Sequence, residues 1–343
     1  MRFPDTNFDR VRTALLCGTP DRVPIFELKV DEEVKAAFLG HSVEGVAGEI
    51  EFQLRAGYDY VRIRPEYDFI YESRIPLKGE YSLYGNHQKT IPWVDEKEGA
   101  IASRADFENF PWPKGTDIRY ARLEEASRLV PEGMKIISGT TGIWESAWML
   151  MGFERFSFAL VDEPDLVRDL FQKVGEVHLE MWRTALDFPN VAAMWYTDDW
   201  AYYSGPMISP EVFRRHVFPW VRKMGECCRQ KGVPFILHSD GNLWLLMDDI
   251  LALGFNCIHP VEPKAMEAVE LKRKFRGRLA LAGNVGLDWP LCRGTPQDVR
   301  RVTRERIELL GPDGYLVGSS NSIPAYVPLE NFKAMIETAL TLH

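Results

Sequence analysis

Cysteine is scarce in this chain and long apolar runs are missing. Five cysteines (Cys17, Cys227, Cys228, Cys257 and Cys292) occur among 343 residues. Their number is odd and none form a C-x-x-C pair, which excludes a disulfide framework and points to a reducing, cytoplasmic setting. No stretch approaches the roughly 18 consecutive apolar residues of a membrane span. The N-terminal MRFPDTNFDRVRTALL is charged and lacks the apolar centre of a secretory leader. Basic residues are outnumbered, 41 Lys and Arg against 50 Asp and Glu, for a net charge of −9. That balance argues against nucleic acid or an anionic membrane as partner. The chain has no G-x-S-x-G elbow and no Walker A motif, and Gly139-Thr-Thr-Gly142 lacks the spacing of a dinucleotide fingerprint. Low-complexity tracts, internal repeats and an inter-domain linker are also missing, so residues 1–343 are read as one domain. A chain of this length buries most of its apolar surface without disulfides or a structural metal.

What is present is an alternation. Eight short apolar runs end in polar or glycine punctuation: Val23–Leu28, Tyr58–Pro65, Met134–Gly142, Val191–Asp199, Val233–Gly241, Cys257–Pro263, Leu279–Gly286 and Gly314–Asn321. Amphipathic stretches with apolar spacing near 3.6 lie between most of them, among them Asp165–Leu186, Pro210–Lys231, Leu243–Leu253 and Thr295–Leu310. Ser209-Pro210 and Thr295-Pro296, the latter with Asp298 at the third helical position, are helix-start signals. Eight strand–helix repeats predict an α/β fold, a (β/α)8 TIM barrel. The segment Leu77–Pro113 breaks the alternation and reads as a β-hairpin insertion plus linker between the second and third strands.

In such a barrel the C-terminal strand ends converge on one mouth. The fifth run ends in His238-Ser-Asp240-Gly241, a pair able to bind a metal or move protons, although an Asp-Gly turn with a satisfied histidine is the commoner meaning of that pattern. The other ends supply Glu27, Arg62, Arg64, Tyr67, Trp144, Glu145, Trp148, Tyr196, Asp198, Asp199, Trp200, Tyr202, Tyr203, His259, Glu262, Asn284, Ser319, Ser320 and Asn321. Several have bland alternatives. Asp198 and Asp199 suit helix capping as well as catalysis, Arg62 and Arg64 suit ordinary ion pairs, and the aromatics suit packing. Carboxylates, histidines and arginines fit acid–base work on an anionic substrate, or metal-assisted polarisation of a leaving group.

Asp198-Asp-Trp, Gly205-Pro-Met-Ile-Ser-Pro-Glu211, His238-Ser-Asp-Gly-Asn242, Gly283-Asn-Val285 and Val327-Pro-Leu-Glu-Asn331, in this order, resemble the uroporphyrinogen decarboxylase superfamily. That superfamily also holds cobamide-dependent methyltransferases. The resemblance spans nearly the whole chain and implies a (β/α)8 barrel with its pocket at the C-terminal face. True uroporphyrinogen decarboxylases carry an Arg-rich segment after the first strand, where this chain has Glu27-Leu-Lys-Val-Asp-Glu-Glu33, and an Asp after the second, where it has Arg62-Ile-Arg64. Their histidine near the last strand is replaced around Ser319-Ser-Asn321. The chain is therefore more similar to the methyltransferase branch. That branch holds zinc through His-x-Cys-Gly at the fifth strand and a further Cys at the eighth; here the patterns become His238-Ser-Asp240-Gly241 and Ser319 or Ser320.

The resemblance implies a corrinoid-linked methyltransferase that moves a methyl group between a small planar donor, such as an aryl methyl ether, and a cobamide on a partner protein. His238, Asp198, Asp199 and Asp240 would be catalytic, and His238 and Asp240 would hold zinc or another divalent ion with Glu262, Glu145 or Asp199 as help, unless the site is metal-free. Arg62 and Arg64 would hold a substrate carboxylate. Trp144, Trp148 and Tyr202 would stack on the ring, with Tyr196, Asn284, Ser319 and Asn321 lining the pocket. A homodimer is also implied. The alternatives are a cofactor-free decarboxylating lyase and a non-catalytic ligand-binding barrel.

Overall fold

The computed structural model of the protein describes residues 5–67, 97 and 99–342. Its centre is a parallel sheet of seven strands in the order β1-β2-β3-β6-β7-β8-β9. These are β1 (Tyr60–Arg62), β2 (Lys135–Thr141), β3 (Val191–Thr197), β6 (Phe235–His238), β7 (Cys257–His259), β8 (Ala280–Val285) and β9 (Tyr315–Ser319). A short antiparallel hairpin, β4 (Ala201–Tyr202) and β5 (Gly205–Pro206), follows β3. β6, β7, β8 and β9 are buried along their whole length. Helices cover one face and side chains fill the other, which is why these segments read as unbroken apolar runs rather than alternating ones.

Seven of the eight predicted runs contain these strands. The first, Val23–Leu28, forms no strand. It touches β9 through one parallel bridge, Ile25 to Val317, with Phe26 N–H donating to Val317 O at 2.8 Å and Val317 N–H to Pro24 O at 2.9 Å. On its other side the Tyr60 hydroxyl takes the place of a ladder, accepting from Glu27 N–H and donating to Glu27 C=O, both at 2.8 Å. The edges β1 and β9 thus meet across this segment, joined on one side by a side chain. Pro24 removes a donor that a longer strand would need.

Helices between the strands follow their local signals. The helix Pro164–Leu186 starts on a proline and buries Leu166, Leu170, Phe171, Val174, Val177, Met181 and Trp182 along one stripe. Thr295 and Asp298 form a capping box on the helix Pro296–Leu310. The predicted helix over 210–231 has a wide π-type turn at Phe213–Val217 before continuing as Phe218–Lys231. In the predicted insertion, the hairpin around Lys89–Val94 lies outside the described residues. The stretch after it holds a buried Ile101 and a helix, Arg104–Asn109, capped by Ser103. No helix among the described residues is long and apolar enough to cross a membrane.

Candidate functional site

Neighbouring parallel strands put residues of equal register side by side. Thr197, His238 and His259 stand in one row at the ends of β3, β6 and β7. His238 Nδ1 and His259 Nδ1 are 2.8 Å apart, so one ring donates and the other accepts. The free nitrogen of His238, Nε2, faces Asp199 Oδ1 at 3.7 Å and Asp240 Oδ1 at 3.9 Å. Burial pushes His238 down to about 4, with Asp199 opposing and Arg62 adding to the fall. His259 is pushed down as well, by burial and then by His238 and Arg62. Both rings are therefore neutral at neutral pH, the form in which imidazole binds metals.

Asp240 is placed by its surroundings. Its Oδ2 accepts from Asn321 Nδ2 at 2.6 Å, and its own N–H donates to Asp199 Oδ1 at 2.9 Å. Its Oδ1 is buried with no hydrogen-bond partner among the described residues. Burial raises the Asp240 carboxyl, and Asp199 and Glu262 raise it further. Gly241 allows the turn: its φ is +84°, and a Cβ there would lie 2.3 Å from Ala201 O. Gly241 N–H donates to Glu262 Oε2 at 3.1 Å.

Asp199, His238 and Asp240 form a group whose ligand atoms lie within 4.8 Å of one another. One nitrogen and two carboxylates suit zinc or a harder divalent ion. The unpartnered Asp240 Oδ1 fits such a cation, and His259 behind His238 is the kind of outer partner that fixes a ligating imidazole. The third ligand in this set is Asp199. Glu262, another candidate for that place from the sequence, holds the Gly241 amide.

Asp198, the neighbour of Asp199, points the other way. Its two oxygens accept from Trp144 N–H (3.1 Å), Glu145 N–H (2.9 Å), the Tyr196 hydroxyl (2.6 Å) and Trp200 Nε1 (2.9 Å). It anchors the start of the helix Ile143–Met151, where amide donors and the helix dipole favour a carboxylate. Gly142 makes room for it, since a Cβ there would sit 1.8 Å from Asp198 Oδ1. Burial still lifts Asp198 to about 6, against those hydrogen bonds.

Other residues read from the sequence as substrate contacts are also taken up by the fold. Trp144 is fully buried against Phe153, Phe156 and Phe213, and Trp148 packs on Phe153. They lie on a helix buried on nearly every face. The Tyr196 hydroxyl serves Ile143 N–H and Asp198. Asn284 donates to Val261 O at 2.7 Å and accepts from Arg306 at 3.3 Å. Ser319 bonds Glu27 through both its N–H and its hydroxyl, each at 2.7 Å. Asn321 and Tyr202 keep the expected kind of place, the first on Asp240 and the second 54% exposed on the β4–β5 hairpin.

His259 belongs to the site without a role read from the sequence, and Glu145, one of the candidate third ligands, stands beside Asp199. Glu145 is raised by burial first, then by Asp199 and Asp198. His259 was visible as a strand-end histidine, but its pairing with His238 depends on the β6–β7 register. A cleft of about 750 Å³ opens beside this cluster, lined by Glu27, Arg62, Arg64, Tyr67 and Thr141 among others. Arg62 links cleft and cluster: its guanidinium lies over Trp195 at 5.3 Å, and the Trp195 ring is 5.0 Å from His259.

The family model described as uroporphyrinogen decarboxylase (URO-D) matches residues 88–342. No curated protein matches the chain by sequence. Among solved structures, a methyltransferase from Methanosarcina mazei is similar at TM-score 0.72 and 18% identity, covering 96% of this chain and 97% of that one. A sugar phosphate isomerase/epimerase from Parabacteroides distasonis is similar at TM-score 0.42 and 13% identity, covering 94% of this chain and 97% of that one.

Proposed function

The chain belongs to the uroporphyrinogen decarboxylase family, and on that premise we propose that it is a methyltransferase, taking a methyl group from a small planar methyl ether to a corrinoid carried by a partner protein. The observation that carries this reading is the inward Asp240 Oδ1, buried, without a partner among the described residues and facing His238 Nε2 and Asp199. Asp199, His238 and Asp240 would hold zinc or another divalent cation, which when bound polarises the ether oxygen.

The chain's own residues do the rest. His259 fixes the His238 ring through Nδ1 and leaves Nε2 for the cation. Asn321 ties down Asp240 Oδ2 so that Oδ1 turns inward. Glu145, whose carboxyl is raised well above the usual range by burial and by Asp199 beside it, is the proton source for the departing oxygen, which keeps the electron pair of the broken bond. Tyr202 offers an aromatic face at the rim.

Elemental analysis of the purified protein tests the reading, together with methyl transfer from aryl methyl ethers to added corrinoid protein. About one divalent ion per chain is expected, bound at least roughly tenfold more weakly after Asp240→Asn or Asp199→Asn. A metal-free protein with full methyl-transfer activity would remove the metal from the reading. A second reading, decarboxylation without metal or corrinoid, is favoured by the raised carboxyls of Asp240 and Glu145 and by Arg62 beside the two histidines. It predicts carbon dioxide release from a small acid by chelator-treated protein.

A further inference from the structure

Among the described residues the buried cations have carboxylate partners. Arg10 pairs with Asp21 at 2.6 Å and Asp59 at 2.7 Å, Arg22 with Asp59 at 3.5 Å, and Lys35 with Glu49 at 2.6 Å. Arg62 makes no ion pair among the described residues. Its Nη1 donates to Leu28 O at 3.2 Å, while Nε and Nη2 are buried with no acceptor among the described residues. A half-buried cation whose donors are closed off without an acceptor is unfavourable unless something answers it.

Nε and Nη2 form the one edge of a guanidinium that takes both oxygens of a carboxylate side-on. This molecule already uses that edge: Arg10 Nε and Nη2 bind Asp21 Oδ1 and Oδ2 at 2.6 and 2.7 Å. At Arg62 the plane is set by the Leu28 carbonyl at one end and the Trp195 ring beneath, so the free edge is preorganised. Its two sides differ. Arg62 lines the 750 Å³ cleft, which gives access from outside. Trp195, on which it rests, also contacts His259 and so leads to the His238–Asp240 group.

We infer that Arg62 captures a substrate carboxylate side-on through Nε and Nη2, so that the molecule acted on is a small organic acid whose reacting end lies toward His238. This rests on the reading that the strand-end cluster is the reaction site, and it adds the substrate class. Arg64, exposed on the same cleft, lies along the path of entry.

Calorimetric titration of the full chain tests it, with acetate, benzoate, benzamide and inorganic phosphate as probes, after chelator treatment and again after zinc loading. At least one carboxylate is expected to saturate a single site, with the neutral benzamide silent. Arg62→Gln should weaken that binding about tenfold or more, the scale of a lost charged hydrogen-bond pair. Arg62→Lys should also weaken it, because a point charge replaces the fork. The assignment is overturned if no carboxylate binds, if benzamide binds as well as benzoate, or if phosphate binds more tightly than every carboxylate. It is overturned too if either variant matches the wild type. Circular dichroism checks folding, and the lysine variant decides if the glutamine variant does not fold. No methyl transfer enters the assay, so failure of the methyltransferase reading and failure of this one are separate results.

Discussion

Asp198 and Asp199 are consecutive carboxylates with opposite tasks. The first turns toward the helix layer and spends both oxygens on four donors; the second turns to His238 and Asp240. Asp198→Asn puts an NH2 among three N–H groups that only donate and a Tyr196 hydroxyl already engaged by Ile143 N–H, and should destabilise the fold by about 2–4 kcal/mol. Denaturant unfolding would read this as a lower midpoint at unchanged slope, with metal content unaffected. Glu27 makes a second residue-level case. Its buried carboxyl accepts from the Ser319 N–H and hydroxyl, each at 2.7 Å. Burial, against the Ser319 hydrogen bonds, lifts it from 4.5 to about 8. A raised folded value stabilises fully below 4.5 and loses that contribution as pH rises through 8. His238, depressed from 6.5 to about 4, acts oppositely and loses stability as pH falls below 6.5. Between pH 6.5 and 8 the Glu27 contribution is a slope of about 1.4 kcal/mol per pH unit, added to those of Glu145 and Asp240, whose carboxyls are raised as well. Glu27→Gln should flatten it in unfolding titrations; an unchanged slope would show that Glu27 is ionised. From sequence, Asp198 and Asp199 are indistinguishable, because which one faces the mouth depends on where β3 ends and on the helix that Asp198 meets.

Elements were legible where the signal was local. The Thr295–Asp298 capping box could be read directly and is present. The turn after β6 could be read as Asp-Gly, but not the carbonyls of Ala201 and Tyr202 that press on it. These two features predict a contrast. Thr295→Ala should lower stability by about 1 kcal/mol and leave metal binding unchanged. Gly241→Ala meets both the left-handed φ and the Ala201 carbonyl, so it should cost about 1–3 kcal/mol and also lower metal affinity by displacing Asp240. Unfolding and metal titration on the two variants would separate the effects. Buried strands were legible because helices on one side and filling side chains on the other leave only apolar residues between punctuation marks. Partners across strands were not, so the His238–His259 contact waited for the β6–β7 register. Trp144 and Trp148 looked like mouth residues from their position after β2, but the helix Ile143–Met151 carries them into packing against Phe153.

At the scale of the molecule, the question is how the sheet closes. Val23–Leu28 has the composition of a buried strand, and nothing local in it tells that only its β9 side forms backbone bonds. On the β1 side the Tyr60 hydroxyl serves both Glu27 backbone groups. Tyr60→Phe leaves a buried N–H and C=O unanswered and should cost about 2–4 kcal/mol. Hydrogen exchange should then quicken in residues 23–28 and at the exposed edges of β1 and β9, ahead of β6 and β7. Uniform exchange across the sheet would count against the seam as its weak point. A strand ladder is redundant, since losing one bond leaves its neighbours to hold register. This seam has little such spare capacity: two bonds converge on one oxygen atom, with the Arg62 bond to the Leu28 carbonyl beside it, which makes Tyr60 a latch whose failure little else can share.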